Sequence, residues 1–236
     1  IRGLTGNQTL ILIDGIRLNN SIYRYGPNQY LNTIDAFAID RIEVAKGTGS
    51  VQYGTDAMGG ALQIFTKSPA FNHEKSTFRG RVFGKYMSGD MEKTGRSELE
   101  YSSKKYAALI GATYRNFGDI IGGKATDKQS PSGYNEYAFD TKITALLKDN
   151  IQFTVANQFN RQQHVPVYHK VVLENYFLNE FDPQQRILTY ARLNIQQHEK
   201  LFNQIRVIAS WQNNIEGRVR QKNGSSLMIC ERDRVN

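Results

Sequence analysis

The sequence predicts two regions of different fold: an α+β domain over residues 1–69 and long antiparallel β-strands over residues 70–236. Three observations predict this division. Before Ser68, short apolar runs alternate with weak helical periods and glycine turns. After it, the segments lengthen and alternate regularly between apolar and polar residues, as strands do when their two faces meet different surroundings. No apolar run is long enough to cross a membrane as a helix.

The first region is predicted to form a small domain of about 70 residues in which strands and short helices alternate. Its clearest strand is a nearly continuous apolar run that ends at Asp14-Gly15, a pair typical of tight turns. The predicted elements are, in chain order, a strand over 9–14, a weakly helical segment over 31–39, a strand over 41–45, a turn over 47–50, a short helix over 50–58 and a strand over 60–66.

The second region is predicted to form strands of roughly ten residues, which is longer than most strands of soluble proteins. Their apolar faces often end in an aromatic residue, as at Tyr114 and Trp211. These features are typical of transmembrane barrel strands, but a soluble antiparallel sandwich also alternates, so periodicity alone leaves both folds open. The predicted strands cover residues 78–86, 106–116, 137–147, 151–158, 187–195 and 201–211.

The connections between these strands fall into two classes. Residues 148–150 and 198–200 are short polar turns, whereas residues 118–136 and 164–185 are long, polar and interrupted by prolines. An outer-membrane barrel has short turns on one side and long loops on the other, so the connections favour the membrane fold.

Composition excludes several classes of function. The formal net charge is +8, but Lys and Arg are scattered along the chain, whereas a nucleic-acid site would gather them. The single cysteine, Cys230, can form neither an internal disulfide nor a cysteine zinc site. We therefore predict no nucleic-acid partner and no structure held by cross-links.

No motif indicates an enzyme, a cofactor site or a metal site. The pair Gly47-x-Gly49 lacks the third glycine of a dinucleotide fingerprint, and Thr55 stands where a phosphate-binding loop requires lysine. The histidines lack the spacing of a metal-binding helix, and no nucleophile motif is present. His164 and His169 share a long loop in which haem or metal binding is conceivable, but simple loop positions are the favoured interpretation.

Four sequence blocks over residues 1–67 resemble the plug domain of TonB-dependent outer-membrane receptors. They read I-R-G at 1–3, T-L-I-L-I-D-G-I-R-L-N at 9–19, D-R-I-E-V-A-K-G at 40–47 and G-S-V-Q-Y-G-T-D-A-M-G-G-A-L-Q-I-F-T-K at 49–67. The family pattern has the same blocks in the same order. Lys46, Thr48 and Gln63 depart from it, because the family usually has Arg, Pro and Asn at these positions.

The resemblance implies an α+β plug domain followed by antiparallel transmembrane β-barrel strands. It implies a receptor, not an enzyme, in the outer membrane of a Gram-negative bacterium. Such a receptor binds a scarce nutrient, for example an iron–siderophore, haem or cobalamin-like ligand, and imports it with energy transmitted by TonB. The positions that match the motif are Arg2, Gly3, Asp14, Gly15, Arg17, Arg41, Glu43, Gly47, Tyr53, Gly54, Gly59 and Gly60.

The resemblance also yields expectations about binding and completeness. If Asp14-Gly15 lies at the outward end, residues 20–29 form an apical loop whose ligand-binding candidates are Tyr23, Arg24, Tyr25 and Asn28. We expect some plug charges to pair with charges on the barrel wall, such as Glu98 or Glu100. The plug's first half and the TonB-contacting segment are expected upstream, and further strands downstream, since the family barrel has about 22 strands. There are two alternatives. One is a barrel that pairs with a surface lipoprotein for glycan or peptide uptake, and the other is a soluble β-rich binding protein.

Overall fold

The computed structural model describes residues 9–18, 29–47, 57, 59–196 and 202–235. The chain folds as two compact units, of which the first ends at Ser68 and the second begins at Pro69. Within the described residues, no helix combines the length and the apolar character needed to cross a membrane.

The first unit contains a four-stranded sheet. Strand order is β2-β1-β4-β3, with β1 parallel to β4 and the other pairs antiparallel. Two short 3₁₀ helices, Gln29–Thr33 and Ala36–Ala38, lead into β3. The strands are β1 (Thr9–Ile13), β2 (Ile16–Arg17), β3 (Ile39–Lys46) and β4 (Gly60–Thr66).

Strand β1 lies inside the sheet, which explains its nearly continuous apolar sequence. Leu10 and Leu12 pack with Ala57 and Ala61 in a buried cluster. The predicted tight turn at Asp14-Gly15 is confirmed: the two residues have φ values of 51° and 84°, as a type I′ turn requires.

The predicted helical period over 31–39 corresponds to the two 3₁₀ helices and not to one α-helix. Asp35 interrupts the segment in an extended conformation, and its side chain accepts a hydrogen bond of 3.0 Å from the Phe37 amide. The second 3₁₀ helix ends at Ala38, and β3 begins at the next residue, Ile39. The helix predicted over 50–58 lies outside the described residues apart from Ala57.

The second unit is an antiparallel meander in which each long strand pairs with the next long strand along the chain. A small hairpin, β8–β9, lies apart from this sheet, and β12 pairs with the outer part of β13. The elements are β5 (Thr77–Met87), β6 (Glu92–Ser102), β7 (Tyr106–Phe117), β8 (Ile120–Ile121), β9 (Lys128–Gln129), β10 (Tyr134–Lys148), β11 (Ile151–Gln163), β12 (Val165–Pro166), α1 (Tyr168–Leu173), β13 (Tyr176–Gln196), β14 (Gln204–Lys222) and β15 (Met228–Val235).

All six predicted strands of the second unit are present. The strands β6 and β15 and the two-residue strands β8, β9 and β12 escaped prediction. The loop predicted over 164–185 is shorter than expected, because β13 already begins at Tyr176. Pro183 lies inside this strand at a register shift between Phe181 and Gln184, where a residue without an N–H group is tolerated.

The two longest strands, β13 and β14, are longer than a bilayer is thick. β13 has 21 residues, which at about 3.3 Å per residue exceeds the roughly 30 Å of hydrocarbon. The two-residue link between Lys148 and Ile151 confirms a predicted short turn, and the loop carrying β8 and β9 lies at the opposite end of the strands. The turn predicted over 198–200 lies outside the described residues.

Candidate functional site

One face of the second sheet is apolar and exposed, and we call it the apolar face. Val82 is 83% exposed and Phe78 is 72% exposed, although both lie within β5. This face is the reverse of what a soluble sheet shows, because a soluble sheet buries its apolar side. Further exposed members are Tyr86, Leu99, Tyr106, Ile110, Tyr114, Tyr137, Phe139 and Ile143.

The opposite face carries charged and amide side chains, and we call it the polar face. Arg96 is only 2% exposed and Glu136 only 1%. Hydrogen-bonded, closely packed polar side chains on one face and exposed apolar side chains on the other are the pattern of transmembrane barrel strands. Other buried members are Glu92, Thr94, Glu98, Thr113, Gln158, Asn160, Gln162 and Arg186.

Arg96 is the centre of one ionic group on the polar face. Its Nε donates to Glu98 Oε1 at 2.8 Å, and its Nη1 donates to Asp140 Oδ1 at 2.8 Å and to Thr113 Oγ1 at 2.9 Å. The guanidinium lies directly over Gly111, where an added Cβ would be only 2.1 Å from Arg96 Nη2. Gly111 is therefore required so that the arginine can reach across β7 to β10.

A second ionic group lies nearer the long-loop ends of the strands. Glu92 forms ion pairs with Lys85 and Arg115, with a distance of 2.5 Å from Oε2 to Lys85 Nζ and of 3.4 Å from Oε1 to Arg115 Nη2. Arg115 Nη1 also reaches Glu136 Oε1 at 3.3 Å, and Gln162 Nε2 donates to Glu136 Oε2 at 2.8 Å. These polar contacts link β5, β6, β7, β10 and β11 in one continuous hydrogen-bonded chain.

In the first unit, the motif residue Asp14 joins β1 to β4. Its buried carboxylate accepts hydrogen bonds from the Thr66 amide at 2.9 Å and from Thr66 Oγ1 at 2.5 Å. Gly15 needs its left-handed φ for the adjoining turn, and Arg17 lies exposed on β2. The motif's Asp-Gly pair therefore closes the turn and ties it to the neighbouring strand.

The other described motif residues lie on or beside β3 and β4. Arg41 and Glu43 share a face of β3, as predicted, and form an exposed ion pair with an Nε–Oε1 distance of 2.9 Å. Gly47 and Gly60 have φ values of 109° and 136°, and Gly59 is buried.

Several candidate residues fall outside the part of the chain that the structure describes. The set comprises the motif positions Arg2, Gly3, Tyr53 and Gly54 and the ligand-binding candidates Tyr23, Arg24, Tyr25 and Asn28. Of the wall charges considered as partners for the first unit, Glu98 binds Arg96 and Arg81, and Glu100 accepts a 3.4 Å hydrogen bond from the Ala70 amide.

Asp119 organises the loop between β7 and β10. Its carboxylate accepts hydrogen bonds from the Ser132 amide at 2.8 Å and the Gly133 amide at 3.0 Å. The hydrogen bond from the Ser132 amide, together with weaker hydrogen bonds, lowers the pKa of Asp119 to about 2, although partial desolvation acts in the opposite direction. Asp119 is consequently ionised at neutral pH, where its charged carboxylate accepts these hydrogen bonds.

A second group of titratable side chains combines His164, which directly follows β11, with two carboxylates of β13. His164 Nδ1 lies 3.0 Å from Glu180 Oε1 and 3.6 Å from Asp182 Oδ2. The hydrogen bond with Glu180 raises the pKa of His164. Within the described ranges these three residues form a cluster whose ligand atoms lie close enough to hold a metal ion. His169, the other histidine of the predicted loop, is not part of this cluster.

Sequence reasoning missed the Arg96 group, and it considered His164 as a metal ligand only beside His169, without its partners Glu180 and Asp182. The alternation of Glu92, Thr94, Arg96 and Glu98 was an available indication of β6, but it has no apolar side to mark it. The His164 group depends on residues 16 and 18 positions apart along the chain. Only the pairing of β12 with β13 brings them together.

Residues 1–61 match the family model described as the TonB-dependent receptor plug domain. The vitamin B12 transporter BtuB of Vibrio vulnificus (strain CMCP6) is 40% identical over 68 residues, which are 29% of this chain and 11% of that protein. The ferric aerobactin receptor of Klebsiella pneumoniae is 30% identical over 118 residues, which are 50% of this chain and 16% of that protein. The chain thus spans less than a fifth of these curated relatives.

The solved structure of the copper transporter OprC has the same fold. It aligns with a TM-score of 0.74 at 13% identity and covers 93% of this chain and 32% of that chain. The shared fold includes both the plug region and the antiparallel strands. The chain thus combines plug-domain sequence of the TonB-dependent receptors over residues 1–61 with antiparallel strands that have the fold of a solved transporter.

Proposed function

We propose that the chain is part of an outer-membrane receptor that binds a scarce, metal-containing nutrient and imports it with energy transmitted by TonB. The nutrient class is an iron–siderophore, haem or a cobalamin-like compound. The inverted polarity of the second sheet carries the membrane part of this proposal, because exposed Val82 and Phe78 need lipid around them. The names of the two curated relatives, a vitamin B12 transporter and a ferric aerobactin receptor, support the nutrient class.

The polar face supports a transport path. A membrane protein has no reason to place Arg96, Glu98 and Asp140 side by side unless that face meets water or other polar groups. The polar face can hold a plug through hydrogen bonds and ion pairs, and these contacts rearrange without exposing apolar surface to water. A pull from TonB on the plug would then open a path at a small free-energy cost.

The ligand is proposed to meet the apical loop over residues 20–29. Tyr23 and Tyr25 supply stacking surfaces, Arg24 supplies a cation for an anionic chelate, and Asn28 supplies an amide. Loop residues between β7 and β10 and between β11 and β13 lie on the long-loop side of the sheet and are available for further contacts.

Growth and binding test the proposal together. A strain lacking the receptor should fail to grow when one iron chelate, haem or cobalamin is the limiting nutrient, and the purified receptor should bind that same compound. Removal of TonB should abolish uptake and leave binding intact. Normal growth of the deletion strain on every such nutrient, with uptake of a glycan or peptide lost instead, would favour the lipoprotein-paired receptor and refute the proposed nutrient class.

A further inference from the structure

We propose that His164, Glu180 and Asp182 form a binding site for a divalent first-row transition-metal ion at the long-loop end of the second sheet. The site uses one imidazole nitrogen and two carboxylate oxygens. Its residues are different from those of the proposed nutrient-binding loop, and it does not depend on which nutrient the receptor imports.

The fold brings the three side chains together through two simple features. Glu180 and Asp182 are two residues apart in β13, beside the register shift between Phe181 and Gln184, and their carboxylate oxygens lie within 4.8 Å of each other. The short strand β12 pairs with β13 directly after His164, with Val165 opposite Phe181. This pairing places the imidazole beside both carboxylates.

The distances match a tetrahedral metal site. Ligand atoms bound to Zn²⁺ at about 2.0–2.1 Å in tetrahedral geometry lie roughly 3.3 Å apart. His164 Nδ1 is 3.0 Å from Glu180 Oε1 and 3.6 Å from Asp182 Oδ2. All three ligand atoms lie within 4.8 Å of one another, which is close enough to hold a metal ion.

The local charge favours a cation. The Glu180 side chain is 13% exposed and that of Asp182 is 25% exposed, so two carboxylates lie close together in partly desolvated positions. Among the described residues, their ion-pair partner is the single imidazole of His164, with neither lysine nor arginine joining them. One imidazole cannot balance two carboxylates, whereas a divalent ion does so fully.

The ligand set selects among metals. Ca²⁺ takes six to eight oxygen ligands, so three donors that include a nitrogen suit it poorly. An imidazole with two carboxylates suits Zn²⁺ and the neighbouring divalent ions, and Zn²⁺ sites with three protein ligands keep a fourth position for water. His164 is 63% exposed, so that fourth position faces solvent.

The test is a zinc titration of the full-length receptor, purified in detergent and stripped of metal with a chelator. The variants His164→Ala, Glu180→Gln and Asp182→Asn each remove one ligand. The matched control is His169→Ala, since His169 is an exposed histidine of the same loop outside the cluster. A heat-modifiable shift on a denaturing gel reports that each variant keeps its folded barrel.

The native receptor and His169→Ala should bind one more equivalent of Zn²⁺ than His164→Ala. Glu180→Gln and Asp182→Asn should weaken that equivalent at least tenfold. Cobalt substitution should give visible absorption from the same site, absent in His164→Ala. Equal zinc stoichiometry and affinity in the native receptor and in folded His164→Ala would overturn the proposal, as would an equal loss in His169→Ala.

Discussion

Gly111→Ala is expected to disrupt the polar face although it adds one methyl group. The new Cβ would lie 2.1 Å from Arg96 Nη2, 2.6 Å from Arg96 Cζ and 2.8 Å from Asp140 Oδ1. Ordinary contacts to a Cβ begin near 3.4 Å, so the guanidinium must retreat by more than 1 Å. It then loses the hydrogen bonds to Asp140, because the pair already lies at 2.8 Å and 3.3 Å.

The size of the effect follows from the burial of these charges. Breaking a buried, hydrogen-bonded ion pair costs about 3–5 kcal/mol, and part of this is recovered as the arginine relaxes towards Glu98. We expect a net destabilisation of about 2–4 kcal/mol, localised to β6, β7 and β10. Since 1.4 kcal/mol corresponds to tenfold, amide exchange in these strands should accelerate roughly 30-fold to several hundred-fold.

Hydrogen exchange measured by mass spectrometry on the intact receptor in detergent provides the assay. The matched control is Gly95→Ala on the neighbouring strand, where an added Cβ meets nothing within 4 Å, so exchange should stay within a factor of about three of wild type. In an Arg96→Met background, Gly111→Ala should cost less, since the nearest clashing group is gone and only Asp140 Oδ1, at 2.8 Å from the new Cβ, remains close. Equal exchange in the two alanine variants, or strict additivity with Arg96→Met, would refute the reasoning.

Three further outcomes are expected. Asp14→Ala should speed amide exchange in β4 by at least tenfold, because it removes two buried hydrogen bonds with Thr66 and forces alanine to a φ of 51°. Asp14→Asn should speed the exchange by a smaller factor, because asparagine tolerates this φ. Asp119, whose pKa is lowered from 3.8 to about 2, stabilises its loop above pH 3.8 and loses this effect as pH falls towards 2. In the wild type, proteolysis of residues 118–133 should therefore rise as the pH falls from 3.8 towards 2. In Asp119→Asn, proteolysis of the same residues should be high already at pH 3.8 and should not change with the protonation of this side chain. Val82→Arg should cost about 2–4 kcal/mol on the apolar face and lower the fraction of heat-modifiable receptor, whereas Val82→Leu should not.

Strands whose apolar face is continuous were predictable from the sequence. β10 and β11 alternate clearly, because the positions on the apolar face are apolar at nearly every second place. β6 was not predicted, because its outward positions include Lys93, Gly95 and Ser97, which leave little apolar signal. The helical period over 31–39 became two 3₁₀ helices because the Asp35 side chain competes for a backbone amide.

The candidate site was predictable only where local sequence determines geometry. The Asp14-Gly15 turn follows from the two residues alone, and so does the shared face of Arg41 and Glu43. The ionic groups around Arg96 and His164 depend on strand register across several hairpins, which no local pattern specifies. Asp140, for example, lies opposite Gly111 and Arg96 lies opposite Thr113, so the arginine meets Asp140 only by reaching diagonally over the glycine.

The alternation of the second sheet also bears on how such a polypeptide reaches its destination. Apolar residues occupy only every second position of each strand, so the mean hydropathy of the whole chain is −0.53. A secretion channel releases sideways those segments that are continuously hydrophobic over a helix length. A chain that carries apolar residues only at alternate positions passes through such a channel as a hydrophilic chain does. Its apolar face forms only when its strands pair into a sheet.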